Sequence, residues 1–259
     1  MLQVVWDVSP FVVETSGFTL RWYSLLFGFA FFFGCSLFFW FFKKEKAPSN
    51  ELIPILLTVL FAGMVGARLA HVFFYDWSYF KDHLLEIPMI WQGGLASHGA
   101  AVGMILGIWA YSRFFGTIYY WWIFDRLMVA MPTGGALIRL GNLMNGELPG
   151  SATKVGWAFI FPLHDQIPRH PVVLYEAVWS IILFAILLVL YNQPSVRKQF
   201  GLLTGFGLAY ISLARFLSDF FKEGEMIVLS LKTGQLLSLP FLGLGLIILA
   251  WSFKNRTTD

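Results

Sequence analysis

The sequence predicts an all-α fold, a polytopic integral membrane bundle of seven transmembrane helices with a small extracytoplasmic polar region. Three observations carry that expectation. Of 259 residues, 58% are hydrophobic and 13% charged, against about 25% charged in soluble domains. Seven apolar runs reach or approach the roughly 20 helical residues that a hydrocarbon core requires. The polar residues that remain are gathered, most densely in GGALIRLGNLMNGELPG (134–150), where Arg139, Asn142, Asn145 and Glu147 fall within nine residues. Such a cluster at the end of a membrane segment is costly unless it faces protein or a wet cavity.

The first run is 18–42. Asp7 and Glu14 interrupt the residues before it and no basic n-region leads it, so these residues do not read as a cleavable signal. Arg21 and Tyr23 open the run as interfacial anchors would. The second run, 52–74, carries Arg68 and His71 on one helical face with Tyr75, and Arg68 is too far from the end to snorkel easily. The third, 94–115, opens in WQGGLASHGA (91–100), with His98 just inside. Its Gly99, Gly103 and Gly107 form a small-residue stripe suited to close helix packing. The fourth, 118–138, holds Asp125 and Arg126 and is expected to kink at Pro132.

A polar loop, 139–170, is expected next. The fifth run, 171–191, starts with Pro171 in a first-turn position, and Glu176 complements the helix dipole. The sixth, 201–221, places Ser212, Arg215, Asp219 and Lys222 along one stripe, with Arg215 and Asp219 spaced for an ion pair. The seventh, 236–253, follows TGQLLSLP (233–240), with Gln235 near its start. The whole chain, 1–259, reads as a single integral membrane domain without internal repeats.

Seven spans put the termini on opposite sides. The links 43–51, 113–117 and 192–200 and the tail after Phe253 carry eight Lys/Arg in short space. Short basic loops face the cytoplasm, which puts the N-terminus outside and the C-terminus inside. The net charge of +3 fits anionic headgroups without nucleic acid. The single cysteine, Cys35, allows no intrachain disulfide. By this orientation most intramembrane polar groups lie in the outer half. Guanidinium groups at that depth suit phosphate or carboxylate, and phosphate in lipid means a phospholipid headgroup. No HExxH, GxSxG or P-loop pattern occurs.

These residues together resemble the bacterial prolipoprotein diacylglyceryl transferases over about 20–240. The family signature stands as Arg139, Gly141, Asn142, Asn145, Glu147 and Gly150. Matches around it include Arg21-Trp22-Tyr23, Gly66-Ala67-Arg68, Gly93-Gly94 with Ser97-His98-Gly99, His170-Pro171 with Leu174-Tyr175-Glu176, Arg215, and Gly234-Gln235 with Leu237 to Pro240. Ile138 and Leu143 depart from the usual glycine and phenylalanine, and Val172-Val173 from Ser-Gln. The family tyrosine four residues before the sixth-run arginine appears as Ile211, with Tyr210 adjacent. On a helix a neighbouring position points about 100° away.

The resemblance implies transfer of diacylglyceryl from phosphatidylglycerol to the lipobox cysteine thiol of a prolipoprotein signal peptide. A thioether forms and glycerol phosphate is released, in the bacterial inner membrane, with no metal or organic cofactor. On this expectation His98, Arg139 and Arg215 are catalytic. His98 is the candidate base for a thiol of pKa about 8.5, and the arginines stabilise the leaving phosphate. Tyr23, Arg68, Gly94, Asn142, Asn145, Glu147, Gly150, Asp219 and Gln235 are the expected substrate-binding set. Asn142, Asn145 and Glu147 are to orient the arginine and the glycerol hydroxyls. The competing reading is a transporter or flippase for an anionic lipid or small anion, since intramembrane arginines and glycine-rich helices serve that class too.

Overall fold

The computed structural model describes residues 4–224, 226–228 and 231–255. Its helices, in chain order, are α1 (Trp22–Glu45), α2 (Leu52–Phe74), the single turn α3 (Trp77–Phe80), α4 (Ser97–Phe114), α5 (Tyr120–Met144), α6 (Val172–Asn192), the single turn α7 (Pro194–Arg197), α8 (Leu202–Ser218) and α9 (Thr233–Lys254). Five of them, α1, α2 with its preceding 3-10 turn, α5, α6 and α9, are long and apolar enough to cross a membrane. The chain is a mostly helical membrane protein. The two shorter helices among the expected seven are α4, with 18 residues, and α8, with 17.

Contacts divide the chain into two compact units, Met1–Phe38 with Phe124–Asp259, and Phe39–Ile123. In the second, α2 and α4 pack through the expected glycine stripe. A Cβ on Gly99 would collide with Gly66 and Ala70, one on Gly103 with Ala62, and one on Gly107 with Ala62. Without a hydrophobic force between membrane helices, this backbone approach supplies the attraction. The buried Glu51 closes the turn after α4, accepting the Thr117 N–H at 2.8 Å and the Ile118 N–H at 3.3 Å.

In the first unit, α8 and α9 meet in the same way, with Gly205 against Leu249 and Gly245 against Ala209. Asp125, buried in α5, caps the start of α8. Its carboxylate accepts the N–H groups of Gly201 and Thr204, both at 2.9 Å, and the Thr204 hydroxyl at 2.6 Å. The carboxylate inside an apolar run is thus spent on orphan helix N–H groups.

Several expected boundaries are corrected. Residues 19–21 are not the start of the first span. They form strand β3 (Thr19–Arg21), paired antiparallel with β2 (Phe11–Glu14) around a turn in which Thr15 and Phe18 bond each other. Two further short two-stranded sheets, β1 (Val4–Val5) with β4 (Phe159–Ile160) and β5 (Met226–Val228) with β6 (Leu231–Lys232), lie outside the helices of this mostly helical fold. Helix α4 begins at Ser97 rather than 94, because Gly93 and Gly94 take φ of 88° and 69°. Helix α5 continues through Pro132 to Met144, so Arg139 and Asn142 are helical and the loop does not begin at 139.

A Schellman motif stops α5. The Glu147 N–H reaches the Asn142 carbonyl at 2.9 Å, the Gly146 N–H reaches that of Leu143 at 3.0 Å, and Gly146 has φ 65°. The loop beyond packs on its own small core of Leu143, Phe161 and Val173, with Trp6, Phe159 and Leu174 against it.

Candidate active site

Four helix ends in the first unit converge through charged side chains. The carboxyl-terminal turns of α5 and α8 meet the amino-terminal turns of α6 and α9. Arg139, one turn before the end of α5, lies with Nε 2.8 Å from Glu176 Oε2, and the other Glu176 oxygen is 2.6 Å from Lys222 Nζ. Lys222 also pairs with Asp219 Oδ1 at 3.0 Å. The Arg139 contact is an ion pair without hydrogen-bond alignment at Oε2. Lys232 reaches back to cap the end of α8, donating to the carbonyls of Asp219 at 3.0 Å and of Lys222. Cations placed there oppose the negative end of the helix dipole.

The signature residues extend this network. Arg139 donates to Asn142 Oδ1 at 3.4 Å, and the Asn142 and Asn145 amides hold the two oxygens of Glu147 at 2.8 and 3.1 Å. Gly141 is the contact point for Tyr23, whose ring and Cα lie 2.9 and 3.2 Å from where a Cβ would be. Gly150 is buried where three segments of the chain cross, and a Cβ there would lie 2.5 Å from the His170 carbonyl oxygen and 2.6 Å from that of Phe221. Behind it, the buried Arg169 ties the loop together. It donates to the Gly150 carbonyl at 3.0 Å and pairs with Asp165 and Glu223, both at 2.5 Å. Those bonds hold the Asp165 carboxyl below its ordinary range and push Arg169 up, while burial lowers His170.

A cavity of about 220 Å³ opens beside the network. Arg139, Glu176, Arg215, Tyr210, Ile211 and Ser218 are among its lining, with Trp179 and Leu183. Two guanidinium groups thus stand against one carboxylate. Arg215 is exposed, and its guanidinium forms no ion pair or hydrogen bond among the described residues. The expected Arg215–Asp219 pair is not formed. Helix α8 ends at Ser218, a 3-10 turn takes over at Asp219, and Asp219 turns to Lys222 instead. Tyr210 and Ile211 line the same cavity despite their angular offset.

Other expected residues are engaged elsewhere. In the second unit, Arg68 is buried and its guanidinium is committed to one loop. It donates to the carbonyls of Ile87 at 2.7 Å, Glu86 at 2.8 Å and Gly93 at 2.8 Å, and sits 4.9 Å over the Phe80 ring. Gly94 lies beside it, where a Cβ would come within 2.6 Å of His71 Nε2 and 2.8 Å of an Arg68 nitrogen. His71 pairs with Asp76 at 3.0 Å. Gln235 is buried as a helix cap, accepting the Lys232 N–H at 2.9 Å. His98, exposed in the first turn of α4, lines an apolar groove of about 910 Å³ along α2 and α4.

Two residues at the centre of the network, Glu176 and Lys222, lie outside the expected set. Their boundary positions gave them ordinary readings, a dipole partner and a snorkelling lysine, and only folding shows them bridging Arg139 to Asp219.

The prolipoprotein diacylglyceryl transferase family profile matches residues 10–251. Curated relatives named phosphatidylglycerol–prolipoprotein diacylglyceryl transferase align along nearly all of the chain. That of Chloroherpeton thalassium is 38% identical over 259 residues, covering 99% of this chain and 97% of the relative. That of Tolumonas auensis is 35% identical over 254 residues, with 97% and 98% covered. That of Bacteroides fragilis is 33% identical over 272 residues, with 99% and 98% covered. On this evidence the chain belongs to the prolipoprotein diacylglyceryl transferase family.

Proposed function

We propose that this protein transfers the diacylglyceryl group of phosphatidylglycerol to the cysteine thiol of a prolipoprotein lipobox, the first step of bacterial lipoprotein maturation. The observation that carries the site assignment is the cavity that brings Arg139 and Arg215 together, with Arg215 unpaired among the described residues. The thiolate sulfur attacks the glyceryl carbon, and the carbon–oxygen bond to phosphate breaks. The bonding pair leaves on the phosphate oxygen, and glycerol phosphate departs. Negative charge grows on that phosphate, where the two guanidinium groups stabilise it. Glu176 holds Arg139 from one side and Asn142 from another. Asn145 and Glu147 extend the acceptor set toward glycerol hydroxyls.

His98 is the proposed thiol base. Its place at a helix amino-terminus favours the anionic form of a bound thiol. His98→Asn should keep fold and lipid binding and lose transfer; a loss confined to thermal stability would refute the role. Tyr23, Gly150, Asp219 and Gln235 of the first unit, and Arg68 and Gly94 of the second, are the proposed further substrate-binding residues. The chain crosses the inner membrane seven times as a single integral membrane domain, with α4 and α8 completing the count and the C-terminus cytoplasmic.

The test is to incubate purified protein with phosphatidylglycerol and a lipobox peptide. A diacylglyceryl mass gain on the peptide thiol is expected. An unmodified peptide, with lipid moved between leaflets instead, would favour a flippase.

A further inference from the structure

We propose that the hydroxyls of Tyr210 and Ser218 donate hydrogen bonds to phosphate-ester oxygens of the lipid substrate, in the cavity they share with Arg139 and Arg215. This rests on the transfer reaction proposed above and adds two ligand contacts to it.

Two buried hydroxyls without a hydrogen-bond partner among the described residues line that one cavity, Tyr210 Oη and Ser218 Oγ, while Glu176 Oε2, which also faces it, is held by Arg139 as an ion pair. Buried hydroxyls are nearly always paired, and leaving one unpaired is costly. Ser218 is only 1% exposed, so bulk water does not satisfy it. Another cavity hydroxyl, Ser180, is already spent on the Glu176 carbonyl at 2.9 Å. The Tyr210 ring is wedged between Trp179, edge-on at 6.3 Å, and Phe206 at 6.4 Å, which fixes where its hydroxyl points.

The pattern along α8 explains the convergence. Tyr210, Ile211, Ala214, Arg215 and Ser218 recur at helical spacing, so one face presents a hydroxyl at each end and a guanidinium between them. Arginine only donates, and so do these hydroxyls toward an anion. Donors facing one space, with an unpaired cation among them, describe a seat for an oxyanion with several acceptor oxygens. A phosphodiester supplies those oxygens.

The experiment compares Tyr210→Phe, Ser218→Ala and the double variant in detergent, reading kcat/KM for phosphatidylglycerol, inhibition by glycerol phosphate, and Tm. Each single variant should lose about 10- to 100-fold in kcat/KM, as expected for a hydrogen bond to a charged group. Inhibition by glycerol phosphate should weaken in parallel. Tm should hold or rise, because a buried unpaired hydroxyl is removed; a structural role would lower it. Ser218→Thr keeps a hydroxyl and should keep most of the activity. Variants within twofold of wild type, or losing activity only in step with Tm, would overturn the assignment. If wild type transfers nothing, the reaction reading fails, and direct binding of phosphatidylglycerol micelles decides the hydroxyl assignment: undiminished binding by the double variant overturns it.

Discussion

Arg139 and Arg215 share a cavity but differ in what surrounds them, and that difference separates their variants. Arg139 is braced by Glu176 at 2.8 Å and by Asn142 at 3.4 Å. Lysine at 139 keeps the charge but loses the planar fork, so turnover should fall by about 100-fold or more, while Tm changes little. Wild-type turnover in a steady-state assay would refute the phosphate role. Arg215 braces nothing among the described residues, so Arg215→Ala should fold normally and lose activity. Asp219 is the reverse case: it is buried, paired with Lys222, and packed against Gly234. Asp219→Asn should weaken folding by about 1–3 kcal/mol yet keep some turnover per folded molecule. Equal loss of specific activity in both variants would contradict the division. The two arginines were legible in the sequence because a charge in an apolar run demands an explanation. Glu176 and Lys222 were not, because each sits where an unpaired charge is ordinary. Arg68 stands out for the same reason as the catalytic candidates, but its partners are backbone carbonyls of a loop 18 to 25 residues on, which no local pattern records, whereas Gln235 caps its own helix by accepting the Lys232 N–H.

At the level of elements, the length of the apolar runs located the helices, and local backbone chemistry set their ends. Helix α2 covers Leu52–Phe74, where Ser49–Glu51 and Tyr75 bracket an apolar run that carries Arg68 and His71. The end of α5 was misplaced because Arg139 and the asparagines look like loop residues. The Asn145-Gly146 pair carried the correct signal, a left-handed stop after Met144. Gly146→Ala should therefore cost about 1 kcal/mol in stability through the positive φ, read as a lower Tm; an unchanged Tm would show that the cap does not limit folding. The loop after that cap also sets a pH dependence. Burial lowers His170 from its ordinary 6.5, so the unfolded chain takes the proton first as pH falls. Stability should decline as pH drops through 6.5 and level off below the folded pKa. Asp165, held below 3.8 by Arg169, adds a second decline as pH falls through 3.8. A Tm series from pH 8 to pH 3 should show both windows, and His170→Asn should remove only the upper one. A Tm flat between pH 7 and pH 5 would contradict the first. The short strands escaped the sequence because two to four residues carry too little alternation to register.

For the whole molecule, the proposed chemistry is that the cavity fixes a phosphodiester so that its glyceryl carbon, and not its phosphorus, takes the sulfur. Donors gathered on phosphate oxygens stabilise it as a leaving group and leave the carbon side open to the nucleophile. Composition and the gathering of polar groups made the membrane class and the anionic ligand legible, whereas the bond that breaks is a matter of which atoms the folded site grips. The most direct measurement is the mass of the modified peptide, paired with the identity of the released product. Attack at carbon predicts a diacylglyceryl thioether and one glycerol phosphate per modified thiol. A peptide carrying phosphate, with free glycerol released, would contradict the account.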